Sequence, residues 1–531
     1  MSKIYTDQFN PLTADMGRRQ FVTTSLAAGI ILPTAMAMAG NAMASAPKKG
    51  GKFRLGMGHG STTDSLDPGT HENAMSQLLV FAYANNLTEV NNEGNLVAEL
   101  AVEYGASSDA KTWTFKIRPG VTFHDGKALT PDDVVASFRF HMGEDSKSAG
   151  KALLADVTNI ATNGNDVVFT LANSNADFAF IVSDYHFVIL PVRDGQLDWA
   201  SGIGTGGYVM ESYEPGVRAK LYRNPDYWKQ DSAHFDEVEL LSILDTVARQ
   251  NAMMNGDVDA IGRVDPKTVH LLARNPNLDI LETTGTLHYT FPMRCDAPPF
   301  DNYDFRMACK LSVDREELVE KILSGHGAVG NDTPISTANA YHNSDLAQRV
   351  YDPDKAAYHL KKAGYDGSKV QLSSSDAAFA GAVDAALLIK ESASKSGLNI
   401  EVVREPKDGY WSNVWNKKPW GACYWGGRPT EDWMFTAAYM ADGEWNDTAW
   451  RTGAAVERFN KLVILGRAEV DLVKRREIYY ECQTLVNTDG GALIPMFANH
   501  VHALSKKLAH GTVAANWELD GGKAIERWWF S

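Results

Sequence analysis

The chain has 531 residues, 44% hydrophobic and 22% charged, with a formal net charge of -15 at pH 7. That length leaves room for roughly three to four domains with sizeable cores. Acidic and basic residues are interspersed, and this excludes a nucleic-acid binder, which needs a basic face to neutralise phosphates.

Near the start, Met16 to Val22 reads MGRRQFV, followed by an apolar, alanine-rich run from Leu26 to Ala39 and the small-x-small ending Ala42-Met43-Ala44. These parts predict an export leader of twin-arginine type over residues 1–44, cleaved near Ala44. Gly17, Val22 and Thr23 depart from the usual twin-arginine pattern and leave general secretory export as the alternative. Pro33 interrupts the run, which is shorter than the about 18–20 apolar residues of a spanning helix. No cysteine follows the cleavage site, so lipid attachment there is excluded.

A strand is predicted at Gly51-Lys52-Phe53-Arg54-Leu55, then a loop, Asp64-Ser65-Leu66-Asp67-Pro68. From Trp113 to Arg118 the residues alternate, with Trp113, Phe115 and Ile117 on one face, as in a half-buried strand. Pro119-Gly120 turns the chain, Val121 to His124 forms an extended segment, and Asp125-Gly126 punctuates it. A helix opens at Thr130, whose hydroxyl caps the first turn. Pro131 takes the first helical position, and Asp132 and Asp133 complement the helix dipole. Later segments include Gly204-Thr205-Gly206-Gly207-Tyr208, LYRNPDYW from Leu221 to Trp228, and Asn255-Gly256-Asp257-Val258-Asp259. Pro299-Phe300-Asp301, Arg306, Asp314-Arg315-Glu316-Glu317, Tyr351-Asp352-Pro353-Asp354-Lys355-Ala356 and Ala363-Gly364-Tyr365 follow.

In this order and spacing the segments resemble the dipeptide/oligopeptide-type (family 5, cluster C) extracellular solute-binding proteins of ABC importers. The likeness spans nearly the whole chain after the leader, with Gly207 where that family's turn has proline. The resemblance implies a bilobal α/β periplasmic-binding-protein fold (type II) with an extra domain, its hinge-linked lobes closing on a ligand. It implies domain I from residues 45–85, 205–285 and 505–531, domain II at 86–204, and domain III at 286–504, with the ligand between domains I and III. It further implies a periplasmic monomer without catalysis or cofactor, whose partners are a small-molecule ligand and the permease subunits of an ABC transporter.

The densest aromatic cluster holds Tyr410, Trp411, Trp415, Trp420, Tyr424, Trp425 and Trp433, beside Gly426-Gly427. Trp411 and Trp425 are expected as pocket walls next to Tyr424, with core packing as the competing reading of each. In peptide-binding members an aspartate shortly after the equivalent of Trp425 captures the peptide's amino terminus. Here Arg428 stands in that place, with Glu431 and Asp432 the nearest acids. A guanidinium cannot pair with an ammonium; its fork suits a carboxylate. Arg294 is a second candidate anion holder. His71, Glu72 and Asn73 occupy the loop where family members touch ligand, Glu72 as a holder for an amine and His71 alternatively as a solvated loop histidine. The expected ligand is therefore a short peptide or a carboxylate-bearing amino-acid derivative. A nickel-chelate or haem carrier of the same fold and, in a different class, a secreted hydrolase are the alternatives.

Four cysteines permit two disulfides in an oxidising compartment. Cys309 and Cys482, in helical segments, read as buried thiols, with a helix–helix bridge as the alternative, while Cys295 and Cys423, in extended segments beside the ligand region, are paired as a hypothesis. No Cys-x-x-Cys, Gly-x-Ser-x-Gly or His-Glu-x-x-His occurs. The stretch Gly120 to Ala128 has five residues between its glycines and alanine where a P-loop needs Ser/Thr, and Gly56 to Gly60 lacks the dinucleotide spacing. His500 and His502 alternate along a strand-like stretch and read as ordinary strand histidines rather than as metal ligands.

Overall fold

The computed structural model describes residues 47–71, 73–406, 410–428, 430–443 and 445–531; the expected leader, its cleavage site and Glu72 lie outside them. Among the described residues no helix is long and apolar enough to cross a membrane. The chain forms two units: residues up to Ile261 with Leu504–Val513 and Gly522–Ser531, and Gly262–Ala503 with Ala514–Gly521.

The first unit contains β1 (Lys52–Met57), α1 (Ala74–Tyr83), β2 (Ala101–Ala106), β3 (Thr112–Ile117), α2 (Pro131–Met142), β4 (Val157–Asn163) and β5 (Asp166–Leu171). It continues with β6 (Tyr208–Glu214), β7 (Arg218–Arg223), β8 (Glu237–Ser242) and β9 (Ala260–Ile261). One sheet runs β6-β7-β8-β1-β9, with β1 parallel to both β8 and β9. A second, antiparallel sheet runs β2-β3-β5-β4. Trp113, Phe115 and Ile117 are buried on one face of β3, where Phe115 meets Phe169 edge-on at 5.6 Å.

The expected extended segment at Val121 to His124 is only a tight loop, held by the Phe123 N–H to the Lys127 carbonyl and one bridge between Thr122 and Ala128. Gly126, at φ +88°, turns the chain back before a longer ladder can grow. At α2 the cap forms as a reciprocal box between Thr130 and Asp133. Asp133 does more than complement the dipole: it is buried and accepts from Lys127 Nζ at 2.6 Å and the Val192 N–H at 2.8 Å. His124 then reaches the Gly204–Tyr208 turn, its N–H donating to the Gly204 carbonyl at 3.0 Å. That turn presses on the end of α1. A Cβ on Gly204 would sit 2.1 Å from the Tyr83 oxygen, and one on Gly206 2.4 Å from its carbonyl carbon, so both positions require glycine.

Two electrostatic clamps complete this unit. Asp259 accepts from the backbone N–H, Nε and Nη2 of Arg54 at 2.9, 3.0 and 2.8 Å, tying the end of the Asn255–Asp259 step to β1. Lys229 Nζ lies 2.7, 2.8 and 2.9 Å from Glu89, Glu99 and Glu526, and Lys523 Nζ lies 2.6 and 2.8 Å from Glu89 and Glu99. Burial alone would push the Glu89 carboxyl up, but the lysines outweigh it and hold it well below the usual range. The three carboxylates are close enough to share a cation, and the two ammonium groups already supply the positive charge.

The second unit contains β10 (Leu278–Thr290), α3 (Tyr303–Leu311), α4 (Arg315–Ile322), β11 (Gly327–Val329), β12 (Val370–Ser374), α5 (Ala382–Ser394) and β13 (Ile400–Arg404). β14 (Cys423–Trp425), α6 (Glu431–Ala438), α7 (Ala454–Ala468), α8 (Leu472–Thr488) and β15 (Met496–Ser505) follow. Its sheet runs β15-β10-β14, with β11 also on β15; β12 and β13 pair in parallel beside α5. β10 lies wholly within the second unit, where it takes these partners. The recognised segments supply helix starts: Asp314 caps α4, and Asp352 caps the helix Pro353–Lys362.

Replacing Lys229 by alanine would leave the fully buried Glu99 short of one counter-charge. We expect a loss of about 3–5 kcal/mol in unfolding free energy, the usual cost of breaking a buried pair, measured by urea denaturation.

Candidate functional site

β14 pairs antiparallel with β10, placing His288 opposite Trp425, Tyr289 opposite Tyr424 and Thr290 opposite Cys423. Directly opposed residues share a face, so Tyr289 and Tyr424 lie together on one side and Trp425 lies on the other. On the first side Tyr289 stacks on Phe379 with centroids 4.0 Å apart and planes 4° from parallel. Tyr424, 40% exposed, meets the 41% exposed Trp411 edge-on at 5.6 Å. Two large neighbouring aromatic side chains left this open to water are a contact surface in waiting.

The expectation that Trp411 and Trp425 form walls together meets this alternation. Trp425 is 5% exposed, and its indole N–H donates to Asp447 Oδ2 at 3.2 Å. Trp415 donates to the same oxygen at 2.9 Å. Burial pushes the Asp447 carboxyl up to about 6, although the indole N–H groups act in the opposite direction. Trp425 is therefore a buried support behind the exposed pair. Asp447 and Tyr289 were not among the candidates. Tyr289 can be found only from the strand register, and Asp447 only from the meeting of two indoles distant in sequence.

Arg428 lies over the rings of Trp425 and Trp433 at 5.8 and 5.9 Å, and its Nη1 donates to the carbonyls of Gly426 and Gly427. Gly427 is required by the strand beside it, since a Cβ there would fall 1.7 Å from Thr286 Oγ1. Asp432 is buried in the first turn of α6, and both its oxygens lie 3.1 Å from Arg467 Nε. Arg294 grips Asp296 at 3.1 and 2.7 Å and donates to the Asn416 carbonyl at 2.8 Å, which makes it a clamp on a chain turn. In the first unit Asn73 caps α1 through the Met75 and Ser76 N–H groups. His71 is not a solvated loop histidine: it is 3% exposed, and burial, reinforced by His186, pushes it down to about 3.

All four cysteines are free thiols. The proposed Cys295–Cys423 bridge does not form: Cys423 lies opposite Thr290, the last residue of β10, and Cys295 lies five residues beyond it. Elsewhere, a groove of about 640 Å³ lined by Arg139, Phe140, Leu197 and Trp199 holds none of the candidate residues.

Residues 95–447 match the bacterial extracellular solute-binding proteins, family 5 Middle. The chain belongs to this family. It is 26% identical over 314 residues to the glutathione-binding protein GsiB of Pectobacterium atrosepticum, covering 58% of this chain and 60% of that protein. Over 468 residues it is 22% identical to the oligopeptide-binding protein OppA of Bacillus subtilis, covering 81% of this chain and 84% of that one. The solved structure of AgaA from A. tumefaciens R10, in complex with agropinic acid, superposes with a TM-score of 0.75 at 22% identity. That match covers 91% of this chain and 99% of AgaA. The mixed α/β architecture is thus the periplasmic-binding-protein fold of family 5.

The Asp447 carboxyl titrates higher in the folded chain than in the unfolded one, so the folded state holds the extra proton. Stability should decline as pH rises through the window from about 4 to 6, by up to about 3 kcal/mol. Asp447→Asn keeps an acceptor oxygen for the indoles and should flatten that window, read from urea unfolding of both proteins at about pH 4, 5.5 and 7.

Proposed function

We propose that this chain is the exported substrate-binding component of an ABC importer, capturing a short peptide or carboxylate-bearing amino-acid derivative for membrane permease subunits. Family membership over residues 95–447 carries the reading. The glutathione, oligopeptide and agropinic acid in the names of its relatives support the ligand class. The proposal includes a leader of twin-arginine type removed near Ala44, a monomer in the periplasm, and the family's three-part division with the β2-β3-β5-β4 sheet in domain II. It assigns no reaction to the chain.

Ligand capture by lobe closure requires contacts that favour the closed state, since a ligand shifts an equilibrium only by its differential affinity. We assign apolar contact to Trp411 and Tyr424, the exposed pair, and anion contact to Arg428, whose guanidinium is already oriented over two indoles. Trp425 backs this surface through Asp447.

Native mass spectrometry of protein purified from its own host should show a small carboxylate-bearing molecule released on denaturation. A haem absorbance band or stoichiometric nickel would instead identify the carrier alternatives, and turnover of an added peptide would identify a hydrolase. The released molecule, returned at a hundredfold its Kd, should raise unfolding free energy by about 2.7 kcal/mol. Trp411→Ala should weaken its binding by at least about tenfold in calorimetry, the loss expected for an aromatic contact.

A further inference from the structure

Helix α2 packs one face into the first unit through Val134 and Phe138 and leaves another side open. On that side Asp132, Val135 and Arg139 recur at intervals of three and four residues, so they line up along the helix. With Phe140, Leu197 and Trp199 they line the groove of about 640 Å³, a size within the about 300–1,000 Å³ of small-ligand sites. The opposite wall is a hairpin in which Val192–Arg193 pairs with Gln196–Leu197. Asp194 at φ +49° and Gly195 at φ +78° close it, as in the two-residue type I′ turn whose twist matches its strands. The wall is tied to the helix: the Leu190 N–H donates to Ser137 Oγ at 3.1 Å, and the Val192 N–H to Asp133 at 2.8 Å. Arg193 is taken up by Asp125 and by Asp198, the latter at 2.9 Å. Backbone and buried bonds therefore set the shape of the groove before anything enters it, which lowers the cost of binding there.

Two opposite charges stand along this groove. Asp132 is exposed and has no hydrogen-bond or ion-pair partner among the described residues. Arg139 is also exposed; its Nη2 donates to the Ile160 carbonyl at 3.1 Å, and its other N–H groups have no partner among the described residues. Seven residues separate the two on α2, about 10 Å along the axis at a rise of about 1.5 Å per residue. An extended peptide advances about 3.3–3.6 Å per residue, so about two to three residues bridge that span. The lining between the charges is apolar, from Val135 on the helix to Leu197 and Trp199 across the groove. At the Asp132 end the positive pole of the helix, about half a charge, opposes a bound ammonium, and the full charge of the carboxylate outweighs it.

We propose that this groove is a second binding site, for a di- or tripeptide with both ends free. Its ammonium meets Asp132, its carboxylate meets the planar fork of Arg139, and its side chains lie among Phe140, Leu197 and Trp199. Charges fixed at both ends set the direction and the length of what fits. The site stands apart from the substrate-binding reading above, because none of its residues enters that reading.

The probes are dialanine and trialanine, each also with an N-acetyl or a C-amide cap, titrated by calorimetry into the full chain. Wild type should show a saturable event for at least one free peptide, and either cap should weaken it about fivefold, the upper range for an ion pair open to water on one side. Asp132→Asn should weaken the same event about fivefold and abolish the effect of the acetyl cap, and Arg139→Gln should do so for the amide cap. Asp194→Asn, which removes an equal charge from the hairpin turn, should leave it unchanged. Thermal melts establish that each variant is folded. If every event keeps its wild-type constant in both Asp132→Asn and Arg139→Gln, or if Asp194→Asn lowers it equally, the site falls and the transport reading stands. Caps without effect overturn the zwitterion assignment and fit a segment of a partner protein instead. No saturable binding of either free peptide also overturns the site.

Discussion

A carboxylate without access to water sets the terms for the first unit. Glu99 is fully buried, and burying an ionised group costs several kcal/mol unless charges and hydrogen bonds compensate it. Lys229, immediately after the LYRNPDYW segment, and Lys523 near the far end of the sequence both reach Glu99, and Glu89 and Glu526 balance the lysines. No one of these groups is stable in that place alone. The unit therefore closes around the cluster only when segments more than four hundred residues apart in sequence arrive together. Such a network specifies an arrangement more than it adds net stability.

The second unit applies the same rule with an arginine fork. Asp332, fully buried, accepts from Arg315 Nη2 at 2.9 and 2.8 Å and from the Ile494 N–H at 2.9 Å. Arg315 is the first residue of α4, just after the capping Asp314, so the start of this helix also anchors the entry to β15. Lys310 performs a related task at the C-terminal end of α8, donating to the carbonyls of Asn487 and Gly490 at 2.8 and 2.7 Å. Both units are thus fastened by charges set into loops and helix ends, which leaves the strand faces to sort the aromatic side chains.

Much of the frame was legible because its signals are local. The alternation at Trp113–Ile117 and the cap at Thr130 each depend on neighbours within a few residues, and each formed. The fold's family was legible for the same reason, since its segments are caps, clamps and close-approach glycines such as Gly204 and Gly206. The site was less legible. Cross-strand register turned Trp425 inward and left Tyr424 outward, although both belong to one aromatic run. Asp432 looked available in sequence because its partner Arg467 is supplied by the tertiary fold, whereas Arg294 is held by Asp296, two residues on, as well as by Asn416.

This division has a physical cause. A residue that holds the fold must find its partner in every member that keeps the fold, so it is fixed in spacing and recognisable. A residue that meets a ligand is constrained by that ligand alone and can change while the frame stays. Trp411 and Tyr424 show the contrast with the frame: both stand about two-fifths exposed and meet edge-on, whereas Trp425 beside them is buried and bonded to Asp447. Chemistry at such positions distinguishes one importer's ligand from another's on a shared fold.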